Sequence, residues 1–109
     1  MLRAHGAGRF VADPIVEEVN GTKVCRFTLA FEEYRKSSEG EQKKNVSFVD
    51  VQSWGTSVDI IEKFCKKGDL FIVDDATIRQ DKWIGPDGGQ RSKLYLRLNS
   101  FTLAGKKDV

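Results

Sequence analysis

The stretch VSFVDVQSWGTSVDIIEKFCKKGDLFIV, Val46–Val73, reads as a strand, a helix and a second strand, and that order decides the fold. From Val46 to Trp54 the positions Val49, Val51 and Ser53 suit a core, while Phe48, Asp50, Gln52 and Trp54 face the other way. The next twelve residues predict a helix over 56–67. Thr56 and Asp59 give a capping-box-like start, and Val58, Ile61, Phe64 and Cys65 share one face. Lys66 and Lys67 fall in its last turn, where cations complement the helix dipole, and Gly68 supplies the stop. Leu70-Phe71-Ile72-Val73 then reads as a buried strand.

Outward from this segment, period-2 alternation dominates. Upstream, Cys25, Phe27, Leu29 and Phe31 alternate with Val24, Arg26, Thr28 and Ala30 after an Asn20-Gly21 turn. Before that turn, a first strand through Phe10-Val11 breaks at Pro14 and a short strand returns through Ile15-Val16. Residues 32–45 turn polar around Ser37-Ser38-Glu39-Gly40 and read as a long exposed hairpin loop. Downstream, the strand from Leu70 continues past Asp74-Asp75 to Trp83, and Gly85-Pro86-Asp87-Gly88-Gly89 is a hairpin turn. The returning strand places Leu94, Leu96 and Leu98 inward and Lys93, Tyr95 and Arg97 outward, with Phe101 and Leu103 prolonging it. This order predicts an all-β, five-stranded OB-fold, a Greek-key barrel with one α-helix between strands 3 and 4. A parallel βαβ architecture is excluded by the single helix.

The chain's 109 residues allow one domain, placed at 1–105, with residues 106–109 as a short polar end. At 39% hydrophobic and 31% charged, the composition is globular rather than disordered. No apolar run approaches the ~18 residues a membrane helix needs, and no apolar segment behind Arg3 makes a signal peptide. Cys25 and Cys65 lie in apolar periodic segments and read as reduced core thiols of a cytosolic protein. Catalysis has no visible apparatus. His5 is the single histidine, and no glycine-rich phosphate loop is present. Asp74-Asp75 reads as a strand end or bulge, so no metal and no cofactor is expected.

Eighteen Lys and Arg oppose sixteen Asp and Glu, a net charge of +2. That balance hides an asymmetry. Residues 10–33 hold two cations (Lys23, Arg26) against five carboxylates, whereas residues 79–107 hold seven against two. Residues 35–44 add Arg35, Lys36, Lys43 and Lys44 against Glu39 and Glu41. Basic surface confined to part of a near-neutral chain suits a polyanion held in a groove. Aromatic side chains interleaved with those cations strengthen the reading, because every base of a single strand offers a π-face to stack on.

The ordered set Gly8-Arg9-Phe10-Val11-Ala12-Asp13-Pro14, Phe27-Thr28-Leu29-Ala30, Phe48-Val49-Asp50-Val51-Gln52-Ser53-Trp54-Gly55, Phe64-Cys65-Lys66-Lys67-Gly68-Asp69 and Arg79-Gln80-Asp81-Lys82-Trp83 resembles the bacterial and phage single-stranded-DNA-binding proteins. The resemblance covers Gly8 to about Leu103. It implies non-specific binding of single-stranded DNA in replication, recombination or repair, in the cytoplasm of a bacterial or phage-infected cell. It implies stacking by Phe48, Trp54, Trp83 and, at a spacing one residue shorter, Tyr34. It implies phosphate contacts by Arg79, Lys82, Arg91 and Lys93, with Arg79 and Lys82 expected on the face that holds Phe48, Trp54 and Trp83. Arg35 and Lys36 beside Tyr34, and Arg97 on the outward side of the last strand, complete the candidate site.

Four departures from the family pattern stand out. Asp50 and Asp81 place acids beside the stacking and basic residues. Asp74-Asp75 adds a residue, which predicts a bulge. The opening strand Arg3-Ala4-His5-Gly6-Ala7 is poor in β-branched residues, and in relatives that strand helps pair subunits. The resemblance therefore implies a homotetramer with a dimer as the alternative. The family's Gly/Gln/Pro-rich tail with an acidic tip does not follow, which fits a tail-less phage or plasmid type or a truncated chain, and leaves partner proteins unassigned. The competing reading is a primosomal-type OB protein that binds partners first and DNA second; keeping both tryptophans argues against it.

Overall fold

A computed structural model describes residues 1–105. It contains β1 (Arg3–Phe10), β2 (Ile15–Val19), β3 (Thr22–Lys36), β4 (Gln42–Trp54), α1 (Ser57–Phe64), β5 (Leu70–Ile84) and β6 (Gln90–Leu103). The sheet runs β1-β5-β6-β4-β3-β2, and pairing of β1 with β3 closes five strands into a ring. β2 lies outside that ring, on the free edge of β3. The helix connects the third and fourth ring strands, as the sequence predicts. Residues 106–109, expected to form a polar end, lie outside the described residues.

The barrel is packed with aromatic rings. Phe10, Phe27 and Phe71 meet with centroids 4.8–5.4 Å apart, and Phe101 stacks on Phe71 at 5.2 Å. Leu29, Val51, Val73 and Leu96 complete the wall, and Val58 and Ile61 of α1 are fully buried against it. Each such side chain contributes roughly 1.5–3 kcal/mol through burial. Asn20 and Gly21 both have positive φ, as a two-residue turn matched to strand twist requires, and the β2–β3 hairpin closes there.

The glycines of β1 have a packing reason. Ala4, Gly6, Gly8 and Phe10 take the more enclosed positions of that strand. A Cβ at Gly8 would stand 3.0 Å from both the Ala30 carbonyl oxygen and the Phe31 ring. Small residues here let the Phe31 ring lie against β1. The expected bulge is present: the register with β6 shifts on both sides of Asp75, leaving Asp74 and Asn99 out of the strand register. Thr102 Oγ1 donates to Asp74 at 2.7 Å, and Asn99 Nδ2 donates to Asp75 at 3.1 Å, so both acids are tied into the sheet.

Three expectations are corrected. The helix spans Ser57–Phe64 rather than 56–67: Cys65 is already extended, and the Gly68 amide donates to the Phe10 carbonyl at 2.8 Å, drawing the chain toward β1. Lys66 and Lys67 therefore lie beyond the helix. Thr56 makes no side-chain cap, and Asp59 pairs with Lys23 at 3.1 Å. Residues 32–45 are no long loop. β3 and β4 stay in register out to Lys36↔Gln42, and only the turn between them is irregular. Leu94 is 65% exposed rather than inward, because the β5–β6 ribbon runs past the end of the barrel.

Candidate nucleic-acid interface

Strand parity sorts the candidate residues by side. In the β3–β4 hairpin the pairs Arg26↔Gln52, Thr28↔Asp50, Ala30↔Phe48 and Tyr34↔Lys44 share the outer side, away from buried Leu29 and Val51. In the β5–β6 hairpin the outer pairs are Thr77↔Arg97, Arg79↔Tyr95, Asp81↔Lys93 and Trp83↔Arg91. The two hairpins meet through a short parallel pairing, Val51↔Leu96 and Gln52↔Arg97, which makes their outer sides one surface. Tyr34, Lys36, Phe48, Trp54, Arg79, Trp83, Arg91, Lys93 and Arg97 all fall on it. Arg35, opposite Lys43, and Lys82, opposite Ser92, fall on the reverse sides of their ribbons. The expectation that Lys82 shares a face with Trp83 is therefore corrected, since neighbouring strand residues point oppositely.

The aromatics differ in setting. Phe48 is 68% exposed, Tyr34 57% and Trp83 45%; Tyr34 and Trp83 stand on strand that overhangs the core, whereas Phe48 follows directly on the core-packed part of β4 at Val49. Trp54 is half-buried and lies across from Val24, whose side chain is wholly enclosed despite its outward parity. Beside these rings, a groove runs between the β1–β2 connection (Val11, Ala12, Asp13) and the sheet, with Thr28, Asp50, Gln52 and Tyr95 on its floor. Tyr95 and Lys44 are missing from the sequence-derived site. The signal for Tyr95 was its parity with Lys93 and Arg97.

Charge on this surface is partly tied up. Asp50 accepts from Thr28 Oγ1 at 2.7 Å and pairs with Lys93, and these bonds hold its carboxyl below the usual range. Lys44 pairs with Glu32 at 3.1 Å, and the Tyr34 hydroxyl donates to the same carboxylate. Arg91 leans on Asp87 of the hairpin turn at 3.4 Å. Arg79, Arg97 and Lys36 have no ion pair among the described residues. Among the described residues no cluster of His, Cys, Asp and Glu converges as a metal-ligand set, and this surface presents exposed rings beside cations without ion pairs.

A family model described as the single-strand binding protein family matches residues 3–104. The chain belongs to that family. Among its relatives, a single-stranded DNA-binding protein of Aquifex aeolicus is 32% identical over 100 residues, covering 91% of this chain and 67% of that protein. One of Treponema pallidum is 29% identical over 99 residues, covering 90% of this chain; the chain spans only about half of that relative, 54%. Of solved structures, the chain resembles one described as Plasmodium falciparum SSB complex with ssDNA, with a TM-score of 0.85, 22% identity and 96% of each chain covered. A small single-stranded DNA-binding protein from Streptomyces coelicolor superposes with a TM-score of 0.75 at 13% identity, covering 94% of this chain and 93% of its own. At those identities the two structures establish the fold.

Proposed function

We propose that this chain binds single-stranded DNA without sequence preference and shields it during replication, recombination or repair. The observation that carries the reading is the single outer surface on which Tyr34, Phe48, Trp54 and Trp83 alternate with Lys36, Arg79, Arg91, Lys93 and Arg97. Bases stack on the rings, and the cations neutralise phosphates. Arg35 and Lys82, on the reverse sides, serve strand that wraps around the ribbons. The activity is binding rather than catalysis, in the cytoplasm, and membership of the family supports it.

A homo-oligomer, tetramer or dimer, follows from the same reading. One small domain grips only a few nucleotides, and joined grooves make binding multivalent. Exposed Leu2, Ile84 and Leu94 supply apolar surface for such contacts. Light scattering tests this: a mass four or two times that of the chain supports it, and a concentration-independent monomer contradicts it. The function is tested by fluorescence anisotropy with labelled oligo(dT) and with a duplex of matching length. Preference for the single strand, weakening with salt, is expected. Equal affinity for the duplex would contradict the proposal.

A further inference from the structure

This inference rests on the proposed interface and concerns Asp50, the acid at the junction of its two hairpins. Asp50 belongs to β4 and Lys93 to β6, so their ion pair spans the two hairpins. It lies beside the only backbone pairing that joins them among the described residues, Val51↔Leu96 and Gln52↔Arg97. Asp50 is anchored from the other side by the Thr28 hydroxyl on β3. The pair also lines the groove floor and wall, with Tyr95 between its two strands' outer residues.

We propose that Asp50 is a positioning residue that holds the Lys93 ammonium across the junction of the hairpins and competes with DNA phosphate for it. Paired, Asp50 and Lys93 are locally neutral, so Lys93 offsets little of an arriving phosphate's charge and releases few of the counterions condensed on the DNA. Asp50 thereby keeps the cation aimed into the groove while limiting how tightly the strand is held there. Asp81 stands directly across from Lys93 on β5 and is the other acid that faces it from a neighbouring strand. Asp13, on the opposite groove wall, is occupied by the Lys67 amide at 2.7 Å.

Oligo(dT) titrations of the whole chain from 50 mM to 1 M salt test this. Asp50→Asn frees Lys93 and should steepen the plot of log affinity against log salt by about 0.7. With equal affinity near 1 M, that is about eightfold tighter binding at 50 mM. The double variant Asp50→Asn, Lys93→Gln should return the original slope, because both members of a neutral pair are gone. Should the amide variant fail to fold, Asp50→Ser makes the same measurement. An unchanged slope in a folded Asp50 variant, or equal steepening in Asp81→Asn, would overturn the assignment while the interface reading stands. Absence of oligo(dT) binding by the unaltered chain would overturn both.

Discussion

Trp83 and Trp54 are expected to fail differently when removed. Trp83 stands exposed on an overhanging ribbon, so Trp83→Ala should weaken oligo(dT) binding by ~1–3 kcal/mol with unchanged melting temperature and salt slope. Trp54→Ala should weaken binding similarly and also lower the melting temperature, since it uncovers Val24. Anisotropy titrations paired with thermal melts separate the two. Among the cations, Arg79→Ala should reduce the salt slope by roughly 0.7, and Lys82→Ala should change it less, because Lys82 points off the reverse of the ribbon. Equal slopes for these two would mean that strand parity does not sort the contacts. Most of this was legible in the sequence, where alternation set Phe48, Trp54, Tyr95 and Arg97 outward. The missed step was applying the same parity to Lys82 and Trp83, adjacent residues that cannot share a side.

At the scale of elements, the barrel strands were readable and the overhanging ribbons were not. Alternation marks a strand only where one side is buried, and Glu32–Lys36 and Gln42–Ser47 are exposed on both sides. What holds that ribbon is continuous backbone pairing together with the Lys44–Glu32 pair, neither of which has an apolar signature. The helix end was misread for a related reason: the bond from Gly68 to Phe10 comes from a strand distant in sequence. β1 shows how packing overrides propensity, with glycine placed where the Phe31 ring must fit. Gly8→Val should therefore destabilise the fold by about 1–3 kcal/mol, because the Ala30 carbonyl cannot move aside. Urea unfolding checks it, and a midpoint unchanged from the parent would contradict the close packing described for β1.

For the molecule as a whole, stability and binding report on different surfaces. Burial pushes the Cys25 thiol from 9.0 up to about 11. A folded-state value above the unfolded one means stability is intact below pH 9 and falls as pH rises toward 11. The loss amounts to roughly 2–3 kcal/mol from this group. Urea melts under reducing conditions at pH 8 and 10.5 should show it, and Cys25→Val should flatten the dependence; an equal loss in that variant would assign it to other groups. The proposed binding instead draws on the outer surface common to both hairpins, where aromatic rings and cations come from four strands of one barrel. The most direct test of that surface is intrinsic tryptophan emission during titration with oligo(dT) at low and high salt. Stacked bases should quench Trp54 and Trp83 to a saturable endpoint, with the midpoint moving to higher DNA concentration as salt rises. Emission that stays constant through the addition of excess oligo(dT) at low salt would contradict the account.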